Sequence, residues 1–332
     1  MRVQGVHHNR ISLILLFLLI AFVSYDLTLG SMPVHVEHIY HSIFSYNADN
    51  SEELTVRFFR IPRVFTAVFA GIALALSGLL MQTLFQNPLA GPYVLGINSG
   101  ASLMVALTTM TGISLFTQDF GLVGAALIGA LATGLFILFC SLYVKNKVSL
   151  LLVGIMFGSF AGALVSVVQS YSNPNDLKTF VMWSFGSLQN VELHQLGLIF
   201  FIIIVGLILT FLLAKPLNLL VIGERNASFL GVNIKGVRFL IILITAIFTG
   251  TITAFCGPIA FVGLIVPNIV KMIYKTTQQN HLIIGSLLGG ALMIVVCDVM
   301  MQLFQPIIHL PLNALTSLMG APIVVWIILK RF

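Results

Sequence analysis

Nine stretches of this chain each run for roughly 18 residues or more with at most one charged side chain. They lie at about 11–30, 64–84, 94–111, 120–142, 149–168, 196–214, 238–256, 282–302 and 312–330, and a tenth, shorter piece covers about 258–272. A helix rises ~1.5 Å per residue, so a run of that length matches the ~30 Å hydrocarbon core of a bilayer. Inside lipid every backbone N–H and C=O must find its partner within the protein, which makes helices the natural element for such runs. The composition agrees. Hydrophobic residues make up 58% of the 332 residues and charged ones 8%, with mean hydropathy +1.07, where a soluble domain is about half apolar and a quarter charged. The length would suit two soluble domains. It is better read as one all-α membrane domain over 1–332, a polytopic bundle of about ten spanning helices.

Lys and Arg set the orientation. With ten spans and the N-terminus inside, twelve basic residues fall on the cytoplasmic side: Arg2, Arg10, Lys145, Lys147, Lys215, Arg225, Lys235, Arg238, Lys271, Lys275, Lys330 and Arg331. Only Arg57, Arg60, Arg63 and Lys178 fall outside, whereas seven of the ten acids do, Asp119 among them. Nine spans would move Lys330 and Arg331 outside, so both termini are expected in the cytoplasm. The net charge of +6 therefore reflects cytoplasmic loops and does not call for nucleic acid as a partner. The N-terminal segment lacks an obvious small-x-small cleavage site and reads as a retained first helix. Long loops are expected outside at about 31–63 and 169–195, and inside at about 215–237.

Small residues recur every fourth position, as in Ala67/Gly71/Ala75, Gly154/Gly158/Gly162 and Gly285/Gly289. In lipid such rows let helices approach closely, and they also suit sliding or a passage. Proline and glycine gather at 85–96, with Asn87 and Pro88, and at 257–268, with Gly257, Pro258 and Pro267. Irregular backbone at membrane depth is tolerated only where protein or a watery cavity satisfies it, and broken helices of this kind are common in transporters.

Asp298 lies inside a span, near its expected outer end. A carboxylate there is costly unless paired, and an arginine of the 57–63 cluster is one candidate partner. Asp26 sits near the outer end of the first helix, with His281 and His309 at helix edges. A proton relay would need more intramembrane acids or histidines. No HExxH, GxSxG or GxxxxGK[ST] motif occurs in the sequence, so the chain is not read as an enzyme, and any ATPase must be another chain. Cys140, Cys256 and Cys297 lie far apart in apolar runs and read as buried thiols. No cofactor or metal site is assigned. His35, His38 and His41 share a three-residue spacing that suits a solvated helix face, or contact with a metal or haem. His7 and His8 adjoin in the inner tail.

The inner segment "GERNASFLGVNIKGVR" (223–238) can form one or two brief helices. Glu224 and Arg225 would be exposed anchors, Ala227 and Leu230 a small apolar face, and Gly231 a stop. A short amphipathic helix of this kind can seat in a partner's groove, although an ordinary loop would also fit.

These pieces, taken in order, resemble the permease subunits of bacterial ABC importers for iron–siderophores, haem and vitamin B12. The motifs are Arg60-Ile61-Pro62-Arg63, Ser77-Gly78, Gln82, Asn87-Pro88-Leu89-Ala90, Pro92, Leu95-Gly96, Gly100-Ala101, Trp183 with Gly186-Ser187-Leu188, Gly223-Glu224 with Ala227 and Leu230-Gly231, the run Gly257 to Pro267, Cys297-Asp298, and Gly320 with Pro322. They span nearly the whole chain. The resemblance implies a type II importer permease fold in the bacterial cytoplasmic (inner) membrane, with two permease subunits, identical or paralogous, around a central path. It implies two ATP-binding subunits on cytoplasmic coupling helices, here Glu224, Arg225, Ala227, Leu230 and Gly231. It also implies an external binding protein, whose glutamates would meet Arg60 and Arg63, with Arg57 a plausible addition. Gln302 stands where relatives often carry arginine, His309 where many carry glutamate, and Asn268 where histidine is usual, followed by Lys271. The ligand expected is an iron–siderophore complex. Haem or cobalamin on the same kind of importer, or a stand-alone secondary carrier, are the alternatives.

Overall fold

The computed structural model describes residues 2–30, 32, 34–47, 49–111, 121–144, 146–305 and 307–331. Asp119 and Lys145, counted above for orientation, lie outside the described residues, as do the side chains of Arg2, His7, Lys330 and Arg331. The described elements are helical throughout: α1 (Arg2–Thr28), α2 (Val36–Phe44), α3 (Ser51–Thr55), α4 (Ile61–Phe85), α5 (Ile97–Met110), α6 (Gly121–Tyr143), α7 (Lys147–Tyr171), α8 (Pro174–Ser184), α9 (Leu193–Leu212), α10 (Ala214–Val221), α11 (Glu224–Phe229), α12 (Ile234–Cys256), α13 (Val262–Tyr274), α14 (Gln279–Phe304) and α15 (Leu312–Arg331).

Each of the ten apolar runs becomes a helix. Among the described residues, seven are long and apolar enough to cross a membrane, and three shorter apolar helices accompany them (Ile97–Met110, Val262–Tyr274 and Leu312–Ile327). The run expected over 94–111 is shortened because Gly96 takes a left-handed conformation (φ 70°) and starts α5 only at Ile97. The long loops are not irregular either. The segment 31–63 holds α2 and α3, the segment 169–195 holds α8, and the segment 215–237 holds α10 and α11.

Helix α4 is the axis of the bundle. Most of it is buried, and it packs on α14, α12, α13 and α9. Helix α1 lies outside α14, while α6, α5 and α7 build outward from α12. The close approaches depend on missing side chains. A Cβ on Gly290 would collide with the backbone of Gly71. On Gly78 it would collide with the carbonyl of Gly263, which Pro267, four residues on, cannot bond for want of an N–H. Van der Waals contact between backbones is the adhesive that lipid leaves available.

Proline also shapes the start of α4. Pro62 has no amide hydrogen to give the carbonyl of Phe58, and the preceding turn, Val56–Arg60, widens into a π-helical turn in which Ile61 N–H bonds Val56 O.

Candidate docking and coupling sites

The three arginines do three different things. Arg63 grips Asp298 of α14 through two nitrogens: Nε lies 2.9 and 2.8 Å from Oδ1 and Oδ2, and Nη2 lies 2.6 Å from Oδ1. The Asp298 side chain is fully buried and that of Arg63 is 12% exposed. Arg60 is buried; its Nη1 donates to Leu27 O at 2.8 Å and its Nη2 to Met32 O. The guanidinium thus fastens the turn after α1, packed on Gly30, whose φ of 148° is one that other residues rarely adopt. Arg57 alone remains at the surface, half-buried, its guanidinium 4.4 Å from the centre of the Tyr46 ring.

Beside this ion pair, Gln302 donates from Nε2 to Oδ1 of the buried Asp26. Gln302 therefore ties α14 to α1. The other Asp26 oxygen is also buried. A cavity of about 460 Å³ opens here, lined by Asp26, Arg60, Arg63, Gln189 and Gln302 among others. His309 lies with Arg63 on a neighbouring pocket of about 190 Å³.

The histidines at α2 meet acids. His35 Nδ1 is 3.5 Å from Glu52, His38 Nδ1 is 3.5 Å from Glu53, and His41 Nε2 is 3.9 Å from Glu37. Among the described residues no group of three His, Cys, Asp or Glu side chains is arranged to hold a metal ion.

The broken segments are held by side-chain hydrogen bonds to backbone carbonyls. Asn268 Nδ2 donates to Pro88 O and to Leu264 O, both at 2.8 Å, fastening α13 to the turn at Asn87–Pro88. Gln82 Nε2 reaches the same Leu264 carbonyl at 3.0 Å, and Lys271 Nζ donates to Gln82 Oε1 at 2.8 Å. At Gly257 the chain turns with φ 74°, a conformation glycine adopts freely, against the backbone of Trp183 and Gly186. Ser187 N–H bonds Cys256 O at 2.8 Å. Next to Pro258, Ala260 N–H bonds the side chain of Asn313 at 3.1 Å, which joins the start of α15 to this bend.

The opposite end of the bundle carries α10 and α11. Here two expectations are corrected. Glu224 is no exposed anchor: it sits 3.4 Å from Lys147 at the start of α7 and 3.3 Å from Arg238 on α12. Ala227 offers no outward face, because it is fully buried under the α11 turn. Leu230 is exposed as expected, at 61%, and so are Arg225 and Phe229, the latter at 79% with Arg225 5.9 Å from its ring centre. Gly231 ends the element with φ 85°. Lys147, Arg238 and Phe229 escaped the sequence reading. The phenylalanine was visible as an aromatic beside Leu230, but the two basic partners lie on other helices.

Comparison with known proteins follows the same architecture. The model of the FecCD transport family matches residues 13–330. The hemin transport system permease protein HmuU of Yersinia pestis is 38% identical over 275 residues, 82% of each chain. The Fe(3+) dicitrate transport system permease protein FecD of Escherichia coli is 31% identical over 307 residues, 92% of this chain and 93% of its own. A solved inward-facing structure of a transporter proposed to be of the metal-chelate ABC type superposes with a TM-score of 0.84 at 26% identity, covering 97% of this chain and 99% of that one. The chain thus belongs to the FecCD transport family and is a multi-pass membrane permease of an ABC importer.

Proposed function

We propose that this chain is the translocating subunit of an ATP-driven importer that takes an iron–siderophore complex from an external binding protein into the cytoplasm. The observation that carries this reading is the family match over residues 13–330, joined to a sequence without an ATP-binding loop. ATP hydrolysis then belongs to a pair of separate subunits, and the exposed Phe229–Leu230 tip of α11 is the element they would grip. A buried apolar anchor in a partner's pocket is the usual core of such an interface. A second permease copy or a paralogue completes the path. The sparsely buried α7 supplies apolar surface for it or for lipid. Both termini face the cytoplasm, the Arg63 end faces outward, and the membrane is the inner one.

At the outward end, Arg57 is available for a binding protein's acids, while Arg63 reaches one only by leaving Asp298. Docking through Arg63 is then an exchange of carboxylate partners. The likeness to FecD, a ferric dicitrate permease, supports chelated iron. Haem is the second reading, favoured by the higher identity to HmuU; cobalamin is the third.

The test is competitive uptake by the reconstituted complex of permease, ATPase and binding protein, with radiolabelled ferric siderophore. ATP-dependent accumulation that excess haem does not suppress is expected. Accumulation of haem alone would replace the siderophore with the second reading.

A further inference from the structure

Two acids meet inside the Arg63 end of the bundle. Asp26 of α1 and Asp298 of α14 are both buried, and their carboxyl groups make a side-chain hydrogen bond with each other. An ionised carboxylate can only accept hydrogen bonds, so two carboxyls bond only when one of them carries a hydrogen.

The surrounding partners decide which one does. Asp298 takes Arg63 N–H groups on both oxygens, at 2.6 to 2.9 Å, and is the anion. Asp26 takes one N–H on Oδ1, from the neutral Gln302, and no nitrogen or hydroxyl of another described residue donates to its Oδ2. The other charged or titratable groups here are engaged elsewhere or carry no charge to offer. Arg60 lines the same cavity, but its nitrogens go to the Leu27 and Met32 carbonyls, and the acid that faces it is Glu52 of α3. Cys297, beside Asp298, is a buried thiol, and His309 lies across Arg63 on the neighbouring pocket. One guanidinium thus serves two buried carboxyls. Like charges held this close do not both ionise, and the pair keeps a proton.

We propose that Asp26 holds a proton on Oδ2 and donates it to Asp298, which makes the two acids a proton-binding site at the outer end of the permease. The charges then balance: Arg63 and Asp298 cancel, and Asp26 is neutral. The cavity of about 460 Å³ has Asp26 in its lining, which gives water access to the site. The site also regulates docking, and this step rests on the reading that Arg63 exchanges Asp298 for an acid on the binding protein. Departure of the guanidinium leaves the Asp298 anion buried beside the Asp26 hydroxyl. A proton from the outer solvent then binds Asp298 and restores neutrality. The docked state holds one proton more than the free permease, so affinity falls as pH rises, by up to about tenfold per unit.

The experiment uses the full-length permease in nanodiscs, isotope-labelled at its aspartate carboxyls, of which the chain has five. Infrared spectra at neutral pH separate the carbonyl stretch of a protonated aspartate from that of the carboxylates. A protonated-aspartate band is expected in wild type and lost in Asp26→Asn, whose amide keeps an N–H for Asp298 and an oxygen for Gln302. Absence of the band from wild type, which involves no variant, overturns the proposal. A band that survives in folded Asp26→Asn overturns it as well. Calorimetry of binding-protein docking, in buffers of different ionisation heat, then counts protons, and uptake of about one per docking event is expected. If the band is present but docking takes up no proton, the shared proton stands, Arg63 stays on Asp298, and the exchange reading falls.

Discussion

The two ends of this bundle handle charge in opposite ways. At the Arg63 end the charges turn inward: Asp298 and Asp26 are buried, Arg60 is spent on backbone carbonyls, and Arg63 is held by Asp298. At the α11 end the ion pairs stay partly wet, Glu224 keeping 28% of its side-chain surface, and apolar Phe229 and Leu230 point outward instead. Buried pairs that lose one member leave an uncompensated charge, whereas wet pairs lose little. The contrast therefore separates an end whose charges hold α1, α4 and α14 together from an end that leaves an apolar tip, Phe229 and Leu230, exposed.

The comparison can be broken by mutation, beginning with the largest expected effect on stability. Asp298→Asn leaves the Arg63 guanidinium buried without its anion and should cost about 3–5 kcal/mol, read as a lowered midpoint of thermal unfolding in detergent. Adding Arg63→Gln should recover most of that loss, which a purely steric defect at 298 would not allow. Arg60→Ala removes two charge-assisted hydrogen bonds to the turn after α1 and should cost about 1.5–3 kcal/mol in the same assay, with faster proteolysis at residues 29–32. Glu224→Gln should cost no more than about 1 kcal/mol. Leu230→Asp sits last, within roughly 0.5 kcal/mol of wild type because its side chain touches solvent. For ATPase binding the order reverses: Leu230→Asp should cost about 2 kcal/mol or more, as loss of an interface anchor does, while Arg60→Ala should leave that affinity unchanged.

The spans were legible because lipid imposes one rule on every segment, and the ten apolar runs in the sequence answer to ten helices in the structure. The break at Gly257 was legible for a local reason, a residue without a Cβ that turns freely. Side-chain partnerships were legible only in part. Asp298 demanded a cation, and the arginine cluster was a nearby source, yet that Arg63 answers while Arg60 turns to the Leu27 and Met32 carbonyls depends on how α4 packs between α1 and α14. The Gln302–Asp26 bond joins residues far apart in sequence, and only the packing of α1 on α14 brings them together. At α11, six residues are too few for a hydrophobic period to declare which face is buried. Glu224 and Ala227 were accordingly read as outward when both turn in.

The docking role proposed for "RFFRIPR" can be tested at the same arginines. If Arg63 exchanges Asp298 for an acid on the binding protein, Arg63→Gln should weaken that protein's binding, and Arg57→Gln should do so by a smaller, salt-sensitive amount. Equal affinity for wild type and Arg63→Gln, measured on folded permease in nanodiscs, would leave Arg63 a purely structural residue.

The central claim is that this chain moves its cargo only when a separate ATPase drives it through α11. Its most direct test is chelate uptake into proteoliposomes holding the permease, with the binding protein outside and the ATPase and ATP added or withheld. Uptake that requires both ATPase and ATP, and that disappears in Leu230→Asp without loss of folded permease, is the predicted result. Uptake by the permease alone, without ATPase or ATP, would contradict the account.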